Sequence, residues 1–420
     1  MDILIIGAGG REHALAQAIR KNKTVETIYA LPGNGGIAEI ATCVPIGTKE
    51  LGKIVRFALE KQVGFAVVAP DDPLVLGLVD LLQEQGIPCF GPSKKAAIIE
   101  GSKVFSKNLM KRYHIPSALY EVFSDVTSAL AYARECPLPA VVKADGLALG
   151  KGVVIANTKE ELVHAIETML VDKQFGASGD SIVIEEFLQG PEVSVLAFTD
   201  GNTLVPMISS MDHKRAYDQD KGPNTGGMGT IAPNPYYTEE MQRICMQDIF
   251  LPTIEAMKAE LRPFKGCLYF GLMLTPSGPK VIEYNCRFGD PEAQVVLPLL
   301  ESDLLTILMA VEKGELDSVE VKFSSASACC VVLASGGYPL SYETGKTIVS
   351  SPLGKDTYLF HAGTRREQDR LVSAGGRVLN VVSTANTLSE AIEKAYLGVK
   401  TIAFDGMHYR TDIGQSALKA

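Results

Sequence analysis

Glu283 and Asn285, a carboxylate and an amide two residues apart, are followed at once by an arginine and a turn in Val281-Ile282-Glu283-Tyr284-Asn285-Cys286-Arg287-Phe288-Gly289-Asp290-Pro291-Glu292. Val281 to Asn285 reads as a strand, which sends Glu283 and Asn285 to one face and Ile282 and Tyr284 to the other. Two hard oxygen donors side by side suit Mg²⁺, which takes one or two protein oxygens and completes its shell with water and phosphate. Arg287 adds a planar fork for a phosphate or a carboxylate. A polar strand edge ending in a Gly-Asp-Pro turn has the same local composition, so the rest of the chain must decide.

Three more segments bear on that decision. Ala144-Asp145-Gly146-Leu147-Ala148-Leu149-Gly150-Lys151-Gly152-Val153 sets three glycines around a lysine between two β-rich runs. Its amides can close over phosphate oxygens, with Lys151 and the preceding Lys143 supplying charge. A Walker A loop needs Ser or Thr straight after the lysine and a helix beyond; here Gly152 and a strand follow. Ile182 to Leu188 is an apolar strand ending in Glu185 and Glu186, then Gly190-Pro191-Glu192. Such an acidic strand end fits a nucleoside, the base against backbone near Leu188 and the ribose on a carboxylate. Met211 to Gly229 reads as one long polar loop, a type that is usually functional in a compact domain. Within it, Asn224-Thr225-Gly226-Gly227 offers small side chains and free amides for close ligand approach, whereas His213 is given no ligand role.

The elements that position these residues follow from the apolar pattern. From Met1 to about Gly101, strands at Ile3 to Ile6, Thr27 to Ala30, Ala66 to Ala69 and Pro88 to Phe90 alternate with helices, which implies a small open parallel α/β sheet. Its first three strands run into Gly7-Ala8-Gly9-Gly10-Arg11-Glu12, Pro32-Gly33-Asn34-Gly35-Gly36 and Pro70-Asp71-Asp72-Pro73. Ligands of such sheets bind at the carboxyl ends of the strands, so the three turns outline one site. Glu12 breaks the third glycine of a dinucleotide fingerprint, and a single phosphate at the helix N-terminus fits better. A second unit runs over 102–314, with a lid subdomain over about 120–190 that has strands at Ala140 to Ala144, Gly152 to Ala156 and Ser181 to Glu186 and a helix from Lys159 to Leu170. A third covers 323–420, with β-rich runs at Ala326 to Ala334, Tyr358 to Gly363 and Arg377 to Thr384 and a helix from Leu388 to Val399. No internal repeat or low-complexity linker interrupts the chain.

Composition narrows the function classes. A chain of 420 residues needs two to four cores. Net charge of −9 argues against a general nucleic-acid binder. Eight cysteines without a C-x-x-C pair argue against zinc or a disulfide framework. No apolar run is long enough for a bilayer and no basic n-region precedes Ile3, so a cytoplasmic protein without membrane contact is expected.

These segments, in this order, resemble the ATP-grasp superfamily and, within it, the glycinamide ribonucleotide synthetase family. The resemblance covers essentially the whole chain. It rests most on Asp212-His213-Lys214-Arg215, Lys221-Gly222-Pro223-Asn224-Thr225-Gly226-Gly227-Met228-Gly229 and Asn285-Cys286-Arg287-Phe288-Gly289-Asp290-Pro291-Glu292. It implies an N-terminal α/β domain, a central ATP-grasp fold with a mobile lid, and a smaller C-terminal α+β domain. It also implies ATP-dependent joining of glycine to 5-phosphoribosylamine through glycyl phosphate, in a monomer or weak homodimer. ATP and Mg²⁺ or Mn²⁺ are the implied cofactors. Glu283 and Asn285 would hold the metal, and Lys103, Lys143, Lys151, Glu185, Glu186, Leu188 and Glu192 the nucleotide. Arg287, Asp212 and Lys214 would carry catalysis. Gly9, Gly10, Asn34, Gly36, Asp71, Asn224, Thr225, Gly226 and Asp290 would meet the other substrates. Three departures stand out. Ala69-Pro70-Asp71 replaces the family's Gly-Pro-Glu, Leu149 replaces an alanine, and Leu272-Met273-Leu274 supplies no metal carboxylate. A chain ending at Ala420 is expected to carry no fused further enzyme.

Overall fold

The computed structural model describes residues 1–147, 152–172 and 179–419. The N-terminal sheet is parallel throughout, in the spatial order Thr42–Cys43, Ile28–Pro32, Ile3–Gly7, Phe65–Val68, Cys89–Phe90. Ile3, Leu4, Ile5 and Ile6 are all fully buried, as expected of a central parallel strand covered on both faces. Each such side chain contributes about 1.5–3 kcal/mol by leaving water. The strand Thr42–Cys43 escapes the sequence pattern because two residues carry no periodicity.

Four antiparallel strands form the central sheet, in the order Leu204–Pro206, Glu192–Thr199, Gly266–Thr275, Gly278–Asn285. The expected strand around Glu283 is therefore present and longer. Pairing slips by one residue where Gly271 faces Glu283 but Leu272 faces Val281. The bulge at Ile282 re-aims the residues beyond it, so Glu283 and Asn285 leave the buried face that Val281 and Tyr284 share. Leu272, Met273 and Leu274 lie on the neighbouring strand and bring no carboxylate, as read from the sequence.

The lid is a separate four-stranded sheet ordered Tyr120–Phe123, Ile182–Glu186, Ala140–Ala144, Val153–Ala156. Its helix Lys159–Leu170 starts on Thr158, whose side chain accepts from Glu161 N. Leu162, Ile166 and Met169 of that helix pack with Val142 and Ile184 in a core of the lid's own. A subdomain with its own core can move as a body.

The segment 211–229 corrects the sequence reading. Instead of one long loop it holds the short strands Met211–Asp212, Arg215–Tyr217, Lys221–Asn224 and, from Gly229, the strand Gly229–Ala232. Arg215–Tyr217 and Lys221–Asn224 pair as a hairpin. Polar, glycine-rich strands carry no alternation, so periodicity could not reveal them. Met211–Asp212 and Gly229–Ala232 join Ser327–Ser335, Arg377–Ala385 and Thr357–His361 in one sheet. The second and third units thus share a sheet across the gap between 314 and 323. Helix Leu388–Val399 packs on that sheet through Ala391, Ile392 and Ala395. All eight cysteines are free and all but Cys43 are buried. No helix among the described residues is long and apolar enough to cross a membrane.

Candidate active site

Helix Lys103–Arg112 presents two lysines one turn apart, and its start is tied to the lid. Ser102 caps it by accepting from Phe105 N, while Asp145, just past the lid strand Ala140–Ala144, accepts from Ser102 Oγ (2.9 Å) and Val104 N (2.8 Å). Lys103 Nζ donates to Gly146 O at 2.9 Å. Lys107 Nζ and Lys143 Nζ each lie 3.0 Å from a Glu185 carboxylate oxygen, and all three side chains are buried. Lys143 also donates to Ile282 O at 3.1 Å, which joins the lid to the bulged strand. Lys107 Nζ is at ion-pair distance yet aligned for no hydrogen bond among the described residues. Burial lowers the Lys107 pKa to about 8, with Glu185 opposing the shift.

These groups border two adjoining cavities. The lid cleft, about 690 Å³, lies between Val141, Val153 and Ile155 of the lid and the chain from Glu186 to Glu192. The inner cleft, about 450 Å³, reaches from Lys103 and Lys107 to Asp71, Arg11 and Arg377. Lys143, Glu185, Asp212, Lys214, Asn224 and Glu283 line both. A volume of several hundred Å³ beside three lysines suits a small phosphorylated molecule.

On the bulged strand, burial opposes charge on Glu283, but Lys214, Lys143, Lys103 and Arg287 outweigh it and hold its carboxyl below the ordinary range. Asn285 Oδ1 accepts from Arg287 Nη2 at 3.2 Å, which keeps the amide oxygen on the arginine's side of the cleft. An ionised carboxylate and an amide oxygen are a hard donor pair, a fit to Mg²⁺ rather than to zinc. No group of three or more His, Cys, Asp or Glu among the described residues forms a metal cluster. Arg287 Nη2 lies 3.1 Å from Glu100 Oε1, and the arginine Nε has no hydrogen-bond partner among the described residues. Glu100 sits on the preceding helix Lys94–Gly101 and also accepts from Cys286 N at 2.8 Å.

Asp212 Oδ1 is shut off from water without a hydrogen-bond partner among the described residues. Burial, with Glu292 beside it, pushes its carboxyl well above the ordinary value. Lys214 pairs with Glu192 at 2.8 Å. Burial alone would lower the Lys214 pKa, but Glu192 and Glu283 more than reverse this and hold the ammonium form. Gly227 has φ +112°, and a Cβ there would lie 2.4 Å from Pro291 Cδ and 2.7 Å from Asp212 Oδ1. Only glycine lets the 224–227 turn approach this closely.

Several expected residues stand apart from the cavity walls. Gly9 N is taken by Glu12 Oε2 and Arg11 N by Asp290 Oδ2, so this helix N-terminus is capped by the protein's own carboxylates. Asn34 is a clip: its Nδ2 donates to Ala8 O and His361 O, and its Oδ1 accepts from Gly36 N and Ile37 N. Gly9, Gly10, Asn34 and Gly36 line neither cleft, whereas Asp71 lines the inner one. Asp290 lines it too, as a hub that also accepts from Gln294 Nε2 (2.8 Å) and meets Arg377 Nη2 (3.3 Å). Leu188, Glu186 and Glu192 line the lid cleft, with Glu186 held by Lys280 at 2.9 Å. Lys151 lies outside the described residues.

Sequence reasoning passed over Lys107, Glu100, Arg11, Tyr269, Glu292, Tyr338 and Arg377, which all line the inner cleft. The i, i+4 spacing of Lys103 and Lys107 was a usable signal. Tyr338 and Arg377 gave none: the C-terminal domain delivers them, Tyr338 OH accepting from Gly226 N (3.0 Å) and Arg377 Nη1 donating to Gly226 O (2.5 Å).

Known proteins resemble this chain over its full length. Family descriptions of phosphoribosylglycinamide synthetase cover residues 1–100 (N domain), 101–293 (ATP-grasp domain) and 328–416 (C domain). The phosphoribosylamine–glycine ligase of Halalkalibacterium halodurans is 48% identical over 419 residues, spanning 100% of this chain and 97% of that protein. The corresponding ligase of Vibrio vulnificus is 47% identical, spanning 100% and 99%. A crystal structure of the Thermotoga maritima ligase superposes with a TM-score of 0.86 at 34% identity, over 98% of this chain and 100% of that one. The biotin carboxylase domain of a Hydrogenobacter thermophilus 2-oxoglutarate carboxylase shares the fold at 18% identity, with a TM-score of 0.75 over 97% and 91% of the two chains. The chain belongs to the phosphoribosylglycinamide synthetase family, the phosphoribosylamine–glycine ligases of purine biosynthesis.

Proposed function

We propose that the lid cleft takes ATP and the inner cleft takes glycine and phosphoribosylamine, so that the shared wall is where phosphoryl and acyl transfer occur. The observation that carries this reading is the set of six charged or amide side chains common to both cavities. A carboxylate forms no amide at neutral pH without a leaving group. A glycine carboxylate oxygen attacks the γ-phosphorus of ATP, the bond to the β-phosphate oxygen breaks, and glycyl phosphate and ADP result. The amine of phosphoribosylamine then attacks the glycyl carbon, phosphate departs with the C–O bonding pair, and the amine gives up a proton. Such steps need positioning and charge neutralisation more than covalent chemistry from the protein.

Lys103, Lys107 and Lys143 hold phosphate oxygens in this scheme, with Glu185 keeping the last two lysines in place. Glu283 and Asn285 would hold Mg²⁺, which would neutralise phosphate charge when bound. Arg287 and Lys214 face the acyl phosphate, and the 224–227 turn closes on glycine. Leu188 and the lid strands border the base, and lid closure keeps water from the acyl phosphate. The test is ADP release with freshly generated phosphoribosylamine and glycine against other amino acids. Turnover with a different acid, and none with glycine, would overturn the substrate assignment.

A further inference from the structure

Residues 408–414 of the C-terminal domain bond to the first strand and the tip of the Arg215–Asn224 hairpin and to His213 just ahead of it. His408 Nε2 lies 2.8 Å from Ala216 O, and its ring packs edge-on against Tyr217. Thr411 N donates to Asp218 Oδ1 at 2.8 Å, and Thr411 Oγ1 to Asp218 Oδ2. Gln219 N donates to Asp412 Oδ2 at 2.8 Å, and Gly414 N to His213 Nε2 at 3.1 Å. Arg410 sits at the centre, 1% exposed and among the largest fully buried side chains of the protein. Its Nε and Nη2 fork Asp412 at 2.8 and 2.9 Å, while Nη1 reaches Asp220 Oδ1 (2.8 Å) and Arg215 O (3.2 Å).

Burying a guanidinium so completely is expensive unless every donor is used. Arg410 lines neither cleft, so substrate contact does not explain it. The hairpin tip does need holding: Gln219 and Asp220 have φ of 59° and 51°, the left-handed region that side chains disfavour. The hairpin also matters to the site. Arg215, Asp220 and Asn224 line the lid cleft, and Lys214 and Asn224 at its roots line both cavities.

We propose that Arg410 is a positioning residue for the nucleotide: segment 408–414 pins the hairpin at its tip and thereby fixes one wall of the lid cleft. This rests on the assignment of that cleft to ATP. In full-length Arg410→Met the KM for ATP is expected to rise about tenfold, kcat to stay within about threefold, and the KM for glycine to move little. Trypsin should cut after Arg215 or Lys221 sooner than in the parent while the remainder resists. Arg410→Lys restores charge without the fork and should fall between the two. Thr411→Val, which removes one hydroxyl contact, should raise the ATP KM by about two- to threefold.

A folded Arg410→Met with parental ATP KM and parental hairpin protection overturns the proposal. If that variant does not fold, parental ATP KM in both Arg410→Lys and Thr411→Val overturns it. So does a uniform fall of kcat, with unchanged KM values, that tracks the folded fraction. Leu188→Asp separates the two readings. An unmoved ATP KM there refutes the nucleotide assignment, while the tryptic pattern still reports on the pinning.

Discussion

Replacing Arg287 by methionine removes a fork from the site and leaves Glu100 buried without its cation. The side chains are 20% and 6% exposed and 3.1 Å apart. Breaking a fully buried pair costs about 3–5 kcal/mol. Water reaches part of Arg287, and Glu100 keeps its bond from Cys286 N, so the low side applies: about 2–3 kcal/mol at neutral pH. The pH dependence gives the sharper test. Burial already raises the Glu100 carboxyl above its ordinary value, with Arg287 pulling it back down. Without Arg287 it rises further. A carboxyl whose pKa is higher folded than unfolded weakens the fold as pH climbs from the unfolded value through the folded one. Both proteins share the unfolded value, so the stability gap between them is nearly absent until pH reaches the parent's raised Glu100 pKa and grows as pH climbs beyond it. Urea unfolding over pH 4 to 7.5 measures the gap. The double variant Glu100→Gln, Arg287→Met should recover most of the stability yet remain about a hundredfold or more down in kcat. A gap that does not change with pH, or a double variant no more stable than Arg287→Met alone, would refute the reasoning.

Glu283→Gln should lower kcat by on the order of a hundredfold or more, through lost metal and charge stabilisation, and near-parental ADP release would remove Glu283 from that role. Gly227→Ala places a methyl within 2.4 Å of Pro291 and 2.7 Å of Asp212. Steady-state kinetics should show activity collapsing by about a hundredfold with at least about 1 kcal/mol of stability lost, and a parental rate would mean the turn has room to yield. His13 is buried, with Nδ1 accepting from His361 N, and burial lowers its pKa to about 3. Its unfolded form binds the proton first, so stability should fall as pH drops from about 6.5 towards 3, by up to about 1.4 kcal/mol per pH unit from this group. Thermal unfolding of His13→Asn over that range should show a flatter profile.

Much of the site was legible in the sequence because its residues cluster in short motifs on strands. Glu283 and Asn285 are two apart on one strand, so local spacing already implied a common face, and Arg287 follows directly, while Lys143 lies next to the end of the strand Ala140–Ala144. The helices Lys159–Leu170 and Leu388–Val399 and the parallel strands were readable for the same reason. Periodicity could not report the bulge at Ile282, which depends on pairing with Gly271 and Leu272. Nor could it report the short polar strands inside 211–229, or that Gly229–Ala232 beside them finds its second partner in Ser327–Ser335, about a hundred residues away. Asn34 and Gly9 show an ambiguity of another kind. Their turn chemistry looks the same whether it binds a ligand or, as found, ties Ala8, His361 and Glu12 together.

The sheet shared by the second and third units has a consequence in time. Gly229–Ala232 pairs on one side with Met211–Asp212 and on the other with Ser327–Ser335. During synthesis its second edge stays open until nearly a hundred further residues have left the ribosome, and Arg377 arrives later still. The lid, whose core is local, can fold well before that. A growing chain can therefore complete its lid well before the wall that supports the 224–227 turn. A half-made enzyme lacks the support of its 224–227 turn, which separates the onset of activity from the start of folding.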